Sequence, residues 1–250
     1  MKTEDARKLN RRTFLKIVAA AGASCGLSSA PFVSHAASDP ERKLKIGVVG
    51  SGRIGGTLGG LWVKAGHEVM FSSRDLEHDK ALAAGLGPAA RAGTPRDAAA
   101  FGDVVLVAVP YSALPQLGKD LADLIKGKVV IDTSNPIVAR DGDIATWARQ
   151  KGAGLASAEL LPGAHIVRAF NAVGAARLPT IAQSQGERIG MPIASDDANA
   201  VAMASRLIRE VGFEPVLIGP LAMGKHLIPG TPLAGERTPE QIRKVVPTLS

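Results

Sequence analysis

The residues best placed to do chemistry in this chain are glycines. Gly50-Ser51-Gly52-Arg53-Ile54-Gly55 follows the apolar run Lys45-Ile46-Gly47-Val48-Val49 and leads into a stretch with helical character. Glycines in a G-x-G-x-x-G spacing suit a dinucleotide: Gly50 permits the tight turn, Gly52 lets the main chain approach a pyrophosphate, and Gly55 allows a helix to pack closely on a strand. A helix starting near Ile54 would aim unpaired N–H groups and the positive end of its dipole at the phosphates. A structural turn can share this composition. The flanking strand, helix and second strand favour the nucleotide reading.

The second strand, Glu68–Ser72, ends in Ser72-Ser73-Arg74-Asp75. An NAD site wants a carboxylate at this strand end to accept from the ribose 2′-hydroxyl. Ser72 stands there instead. Two hydroxyls from Ser72 and Ser73 and the planar donors of Arg74 suit a 2′-phosphate, so the expected cofactor is NADP(H). Asp75 reads as the N-cap of the following helix. Arg53 either joins the phosphate site or is solvated.

Acid–base groups are few. Outside the N-terminal segment the histidines are His67, His78, His165 and His226, and Tyr111 is the one tyrosine. His67 lies between a helix and a strand and reads as structural, His78 belongs to a charged helix face, and His165 precedes a strand. His226 is the one late candidate. Tyr111, directly after Pro110, is expected to line the nicotinamide pocket. Ring-to-ring hydride transfer needs little proton transfer, so this thin supply favours cofactor-to-cofactor chemistry.

The N-terminus reads as an address. Asn10-Arg11-Arg12-Thr13-Phe14-Leu15-Lys16 precedes an apolar run from Ile17 to about Ala30 and then Ser34-His35-Ala36-Ala37. This resembles a twin-arginine export signal over residues 1–36 with cleavage near Ala36, hence a periplasmic protein handled by the twin-arginine machinery. The apolar run is shorter than the roughly 20 residues a bilayer span needs, so no membrane span is expected in the mature chain. Cys25, the single cysteine, lies inside this segment, which excludes disulfide frameworks and multi-cysteine metal sites; no metal is expected. Residues 1–36 carry +4 of the net +7, and the remaining +3 is not clustered. With aromatics at 4%, that argues against a nucleic-acid partner.

Between and around these candidates, apolar β-branched runs alternate with Ala/Leu-rich stretches. Strands are expected at Lys45–Val49, Glu68–Ser72, Val104–Pro110, Val129–Asp132, Ile166–Phe170, Ile189–Ala194 and Pro215–Ile218. Helices are expected at Ile54–Ala65, Leu76–Ala84, Pro95–Phe101, Leu114–Ile125, Asp143–Lys151 and Asp197–Val211, the last capped by Ser195 or Asp196. Runs such as Val104–Val109 are apolar throughout and read as strands buried on both faces. The expected fold is α/β, a doubly wound, mostly parallel Rossmann sheet with helices on both faces. Residues 37–228 would form the NADP-binding domain and residues 229–250 a tail of loop and short helix. Val109, Pro110, Ser134, Asn135, Pro136 and Asn171 fall at carboxyl ends of strands, where such sheets bind ligands.

Val107-Ala108-Val109-Pro110, Asp132-Thr133-Ser134-Asn135-Pro136 and Val167-Arg168-Ala169-Phe170-Asn171-Ala172-Val173, together with the Ser-Ser-Arg segment, resemble the F420-dependent NADP oxidoreductase family. They also resemble the reductase domain of the six-transmembrane metalloreductases. The resemblance runs from about Lys43 to Leu227. It implies hydride transfer between NADPH and a deazaflavin (F420) or flavin as small-molecule co-substrate. Tyr111, Asn135 and Asn171 are then the expected pocket-lining residues, and a homodimer is an assembly open to the chain. The alternatives are an NADP-dependent reductase of a small carbonyl or imine, and a non-catalytic NADP-binding module.

Overall fold

The computed structural model describes residues 42–249, so the expected export signal over residues 1–36, with Cys25, lies outside the described residues. In chain order the strands are β1 Lys45–Val49, β2 Glu68–Ser72, β3 Ala90–Ala92, β4 Val104–Val107, β5 Val129–Asp132, β6 His165–Arg168, β7 Gly190–Ala194 and β8 Glu214–Gly219. The helices are α1 Arg53–Lys64, α2 Leu76–Leu86, α3 Pro95–Phe101, α4 Leu114–Ile125, α5 Val138–Asp141, α6 Asp143–Lys151, α7 Ala153–Leu160, α8 Leu178–Ala182, α9 Ala198–Glu210 and α10 Pro239–Val245.

The eight strands form one sheet in the order β3-β2-β1-β4-β5-β6-β7-β8. Neighbours from β3 through β6 are parallel, β7 runs antiparallel to β6, and β8 is parallel to β7. This is the doubly wound Rossmann arrangement. The apolar strand runs are explained by the two cores. Successive side chains of a strand point to opposite faces, and here both faces are covered. Ile46, Val48, Val104 and Leu106 join Leu58 and Trp62 of α1 on one side. Val49, Val105 and Val107 join Leu114, Leu121 and Ile125 of α4 on the other. The chain leaves β1 in one direction and returns at β4 on its other side, so the strand order reverses between them. In such sheets ligands bind at that crevice.

Differences from the expected elements have local causes. β4 stops at Val107 because Pro110 supplies no N–H and Tyr111–Ala113 turns into a 3-10 helix. β6 ends before Phe170, whose φ of 62° is incompatible with a strand. α9 is capped by Asp197, which accepts from the Ala200 N–H. Ser195 instead donates to Ile166 O, and Asp196 accepts from the Leu221 N–H. The stretch set apart as a tail is part of the packing: Leu233 and Ile242 are fully buried against β7 and β8. Among the described residues no helix is long and apolar enough to cross a membrane, and no group of three metal-ligating side chains could hold an ion.

Candidate functional site

The glycine loop behaves as its spacing predicts, with one refinement. Gly50 takes φ = 100°, and a Cβ there would stand 2.4 Å from Ala108 O. A Cβ at Gly55 would stand 2.0 Å from Gly50 O, so α1 touches the loop backbone. A Cβ at Gly52 would meet nothing within 4 Å and would point into open space. Gly52 is the N-cap of α1, with no side-chain cap and no acid in the first turn. The first N–H groups of the helix therefore keep their donors for an anion, and the cradle fits a pyrophosphate. The N–H groups of Gly50 and Ser51 are already used, both donating to Ser72 O at 2.8 and 3.0 Å.

At the end of β2 the donors sort differently from expectation. Ser72 is fully buried and its hydroxyl donates to Val48 O at 2.8 Å, so it cannot face a 2′-phosphate. Ser51 Oγ donates to Asp79, and Ser73 Oγ lies 2.9 Å from the second oxygen of the same carboxylate. Asp79 is itself fully buried. The buried Ser51 hydroxyl holds the β2–α2 turn together rather than the ligand, and the half-buried Ser73 braces the same turn from the rim of the adjoining cavity. Asp75 caps α2, accepting from the His78 N–H at 3.0 Å, as read from the sequence. Arg74 is exposed, borders the adjoining cavity and makes no ion pair among the described residues. It is the donor left for a 2′-phosphate.

Two cavities meet over the strand ends. One, of about 460 Å³, is bordered by Gly50, Gly52, Ser73, Arg74, Pro95 and Leu117. The other, of about 240 Å³, is bordered by Arg53, Ile54, Thr133, Asn135, Ile137 and Arg140. They share Ala108, Val109 and Pro110 as a common wall. Val109, Pro110 and Asn135 thus stand where the sequence places them. Pro136 is buried and off the cavity wall, its carbonyl accepting from Arg149 Nε at 2.9 Å.

Tyr111 does not line the pocket. It is fully buried, its hydroxyl 3.2 Å from Ala153 O and 3.1 Å from Ser157 Oγ. Burial pushes its hydroxyl up to about 12, against the opposing Ser157 hydrogen bond. The bulky aromatic ring takes the core position that α4, α6 and α7 leave open, and its neighbour Ser112 borders the cavity instead. Asn171 is also enclosed. Its backbone carbonyl accepts from Asn135 Nδ2 at 2.9 Å, while its buried side-chain amide has no partner among the described residues. Asn171 therefore orients Asn135 rather than lining the wall.

Behind this loop lies a pair not singled out as a site in the sequence. Arg168 and Asp132 are opposite each other on β6 and β5, both fully buried, with Nη1 to Oδ2 at 2.6 Å. Arg168 also donates to Ser134 O at 3.0 Å. The guanidinium thus fixes the turn that presents Asn135. The histidines stay outside this groove. His67 accepts from the Leu44 N–H and pairs with Glu210, His165 pairs with Asp197, and His78 is exposed on α2. His226 sits in the 3-10 segment Leu221–Leu227, off both cavity walls.

Residues 45–136 match the family model of the coenzyme F420-dependent NADP oxidoreductases. Over 204 residues the chain is 30% identical to the F420-dependent NADP reductase of Methanothermobacter thermautotrophicus, covering 76% of this chain and 87% of that one. The chain belongs to the F420-dependent NADP oxidoreductase family. It is equally 30% identical, over 192 residues, to the metalloreductase STEAP3 of Rattus norvegicus, covering 75% of this chain and 36% of that protein. It thus spans little more than a third of that relative. A hypothetical protein of Sinorhizobium meliloti, SMa0349, shares the fold with a TM-score of 0.65 at 26% identity, over 79% of this chain and 96% of the other. As a member of this family the protein is an NADP-dependent oxidoreductase. The matched span from β1 to Pro136 contains the glycine loop, Arg74, the shared wall and Asn135.

Proposed function

We propose that the protein passes hydride between NADPH and a deazaflavin or flavin ring held in the smaller cavity. One observation carries the reading. The wall of that cavity, from Ile54 through Pro110 to Asn135 and Ile137, offers no His, Tyr, Lys, Asp or Glu among the described residues. A carbonyl reductase needs a proton donor beside the developing alkoxide; hydride exchange between two rings is served by alignment alone.

NADPH supplies the hydride when bound. The first turn of α1 and the open face of Gly52 would hold its pyrophosphate, and Arg74 its 2′-phosphate. Val109, Pro110 and Asn135 then bound the space left for the reacting rings and keep water from it. Asn135 is held still by Asn171 O and by Arg168, which suits a group that must orient a ring rather than titrate. Stopped-flow mixing of NADPH-loaded protein with F420, FMN, FAD and simple keto acids tests the proposal. Fast oxidation by a deazaflavin or flavin supports it. Oxidation by keto acids alone would assign a carbonyl reductase, and oxidation by none a nucleotide-binding module.

We also propose export to the periplasm, on the Arg11-Arg12 segment. That route takes folded cargo, so the protein would cross with NADP(H) already seated. Arg11→Lys with Arg12→Lys should leave the precursor in the cytoplasm.

A further inference from the structure

The smaller cavity has a side chain aimed into it by a buried carboxylate. Asp141, at the end of α5, has a side chain fully removed from solvent. Arg140 Nε and Nη2 donate to it at 3.0 and 2.8 Å, the Ile137 N–H at 3.1 Å, and the Ser112 N–H and Oγ at 3.3 and 3.1 Å. Ser112 borders the larger cavity and Ile137 the smaller one. One carboxylate therefore ties a residue of each cavity together and fixes the plane of the Arg140 guanidinium. Burial alone would raise its pKa, but Arg140 and the Ile137 and Ser112 N–H groups outweigh that and hold it below the ordinary carboxylate range.

Arg140 is spoken for on one edge only. Nη2 also donates to Asn135 O at 2.9 Å, while Nη1 makes no hydrogen bond among the described residues. Its side chain is 44% exposed and borders the cavity. Arg53 borders the same space without an ion pair among the described residues, and no carboxylate reaches the wall. Beside them Ile137 is partly exposed and apolar. A guanidinium locked in orientation loses little freedom on capturing an anion, and its fork matches phosphate and carboxylate.

Resting on the hydride-transfer reading above, we propose that Arg140, aimed by Asp141, is a specificity-determining residue. It binds an anionic group on the acceptor, so the site prefers phosphate- or carboxylate-bearing ring acceptors over neutral ones with the same ring.

FMN and riboflavin share a ring and differ by a phosphate, which makes them the probes. The full-length protein, saturated with NADP⁺, is titrated with each while flavin fluorescence is followed, and NADPH affinity is measured separately. The expected result is FMN bound roughly tenfold or more tightly than riboflavin, as a charge-assisted contact allows. Arg140→Gln should bring FMN down to the riboflavin level while NADPH affinity moves by less than about threefold. Arg140→Lys, which keeps the charge but not the fork, should retain part of the preference. Equal losses for both flavins, a loss of NADPH affinity instead, no preference in the wild type, or uptake of neither flavin would each overturn the proposal. Its failure is distinguishable from that of the parent reading. An Arg140-dependent preference without reduction by NADPH would sink hydride transfer alone, whereas reduction without preference would sink only the role of Arg140.

Discussion

Replacing Gly52 by alanine should separate nucleotide binding from folding. Its φ of −66° and ψ of −158° suit an ordinary residue, and the added Cβ meets no protein atom within 4 Å. Alanine is a poorer N-cap than glycine, but it also restricts the unfolded chain. The two effects oppose each other and leave the ligand-free protein within about 1 kcal/mol of wild type. The methyl would, however, occupy the space into which the pyrophosphate must approach. Losing one charge-assisted hydrogen bond of roughly 1.5–3 kcal/mol weakens binding about ten- to hundredfold. Thermal unfolding reads both quantities. NADP⁺ at a hundred times its Kd stabilises the wild type by about 2.7 kcal/mol, or roughly 5–10 °C in Tm for a domain of this size. A hundredfold weaker variant at the same concentration gains only about 0.4 kcal/mol, roughly 1 °C. Gly50→Ala and Gly55→Ala are the contrast. Each forces a Cβ against backbone at 2.4 and 2.0 Å, so they should melt at least roughly 5 °C lower with no nucleotide present. A Gly52→Ala protein that binds NADP⁺ like wild type would refute the placement of the pyrophosphate. One that melts far below wild type without nucleotide would refute the open face.

Arg74→Ala should cost NADPH roughly ten- to hundredfold in affinity and NADH almost nothing, measured by nicotinamide fluorescence; equal losses would remove the 2′-phosphate assignment. Tyr111 is the one tyrosine of the chain, so absorbance at 295 nm follows it alone: the native protein should show no tyrosinate step until about pH 12, the unfolded chain near pH 10. Because the folded pKa is the higher one, the stability it contributes is complete below about pH 10 and is lost as pH climbs through about 12; a native step near 10 would contradict the burial. Arg168→Ala should lower stability by roughly 3–5 kcal/mol in urea melts, because Asp132 is left buried and unpaired, while the double change Arg168→Met, Asp132→Asn should cost much less. Equal costs for the two would place the effect in packing rather than charge.

The fold was readable where side-chain pattern and chain direction agree. β1, β2 and β5 begin and end where their apolar runs do, because helices cover both faces and little else competes. β3 escaped because Ala90-Arg91-Ala92 is three residues with poor strand preference, held only by β2. α7 escaped because Gly152 and Gly154 punctuate it, yet Gly154 is there so that Leu221 O can approach within 2.0 Å of where a Cβ would lie. The site was legible to the level of the loop, not of the hydroxyl. Ser72, Ser73 and Tyr111 occupy ligand-facing positions in the sequence, but Ser72 is turned inward, the buried Asp79 engages the hydroxyl of Ser73 at the cavity rim, and core volume claims the tyrosine. Asp79, Asp141 and Arg168 carry no local signal of importance. Each matters through partners distant in sequence, or through burial that only the packed sheet creates.

Phe170 joins the interior to the groove in a way that bears on how the protein can change. Its left-handed backbone costs about 1–2 kcal/mol for a residue with a side chain, and its ring stands edge-on to Trp62 and Phe213 at 6.4 and 6.0 Å between centroids. Such contacts contribute about 0.5–1.5 kcal/mol each, enough to keep the residue in that turn. The next residue, Asn171, presents the carbonyl that holds Asn135. Trimming Trp62 or Phe213 therefore does more than open a void: it frees residue 170 to relax toward extended backbone and carries the Asn171 carbonyl off its target. Substitutions in this aromatic trio should be epistatic with those at Asn135, and drift in the core should surface as drift in cofactor kinetics before it surfaces as loss of fold.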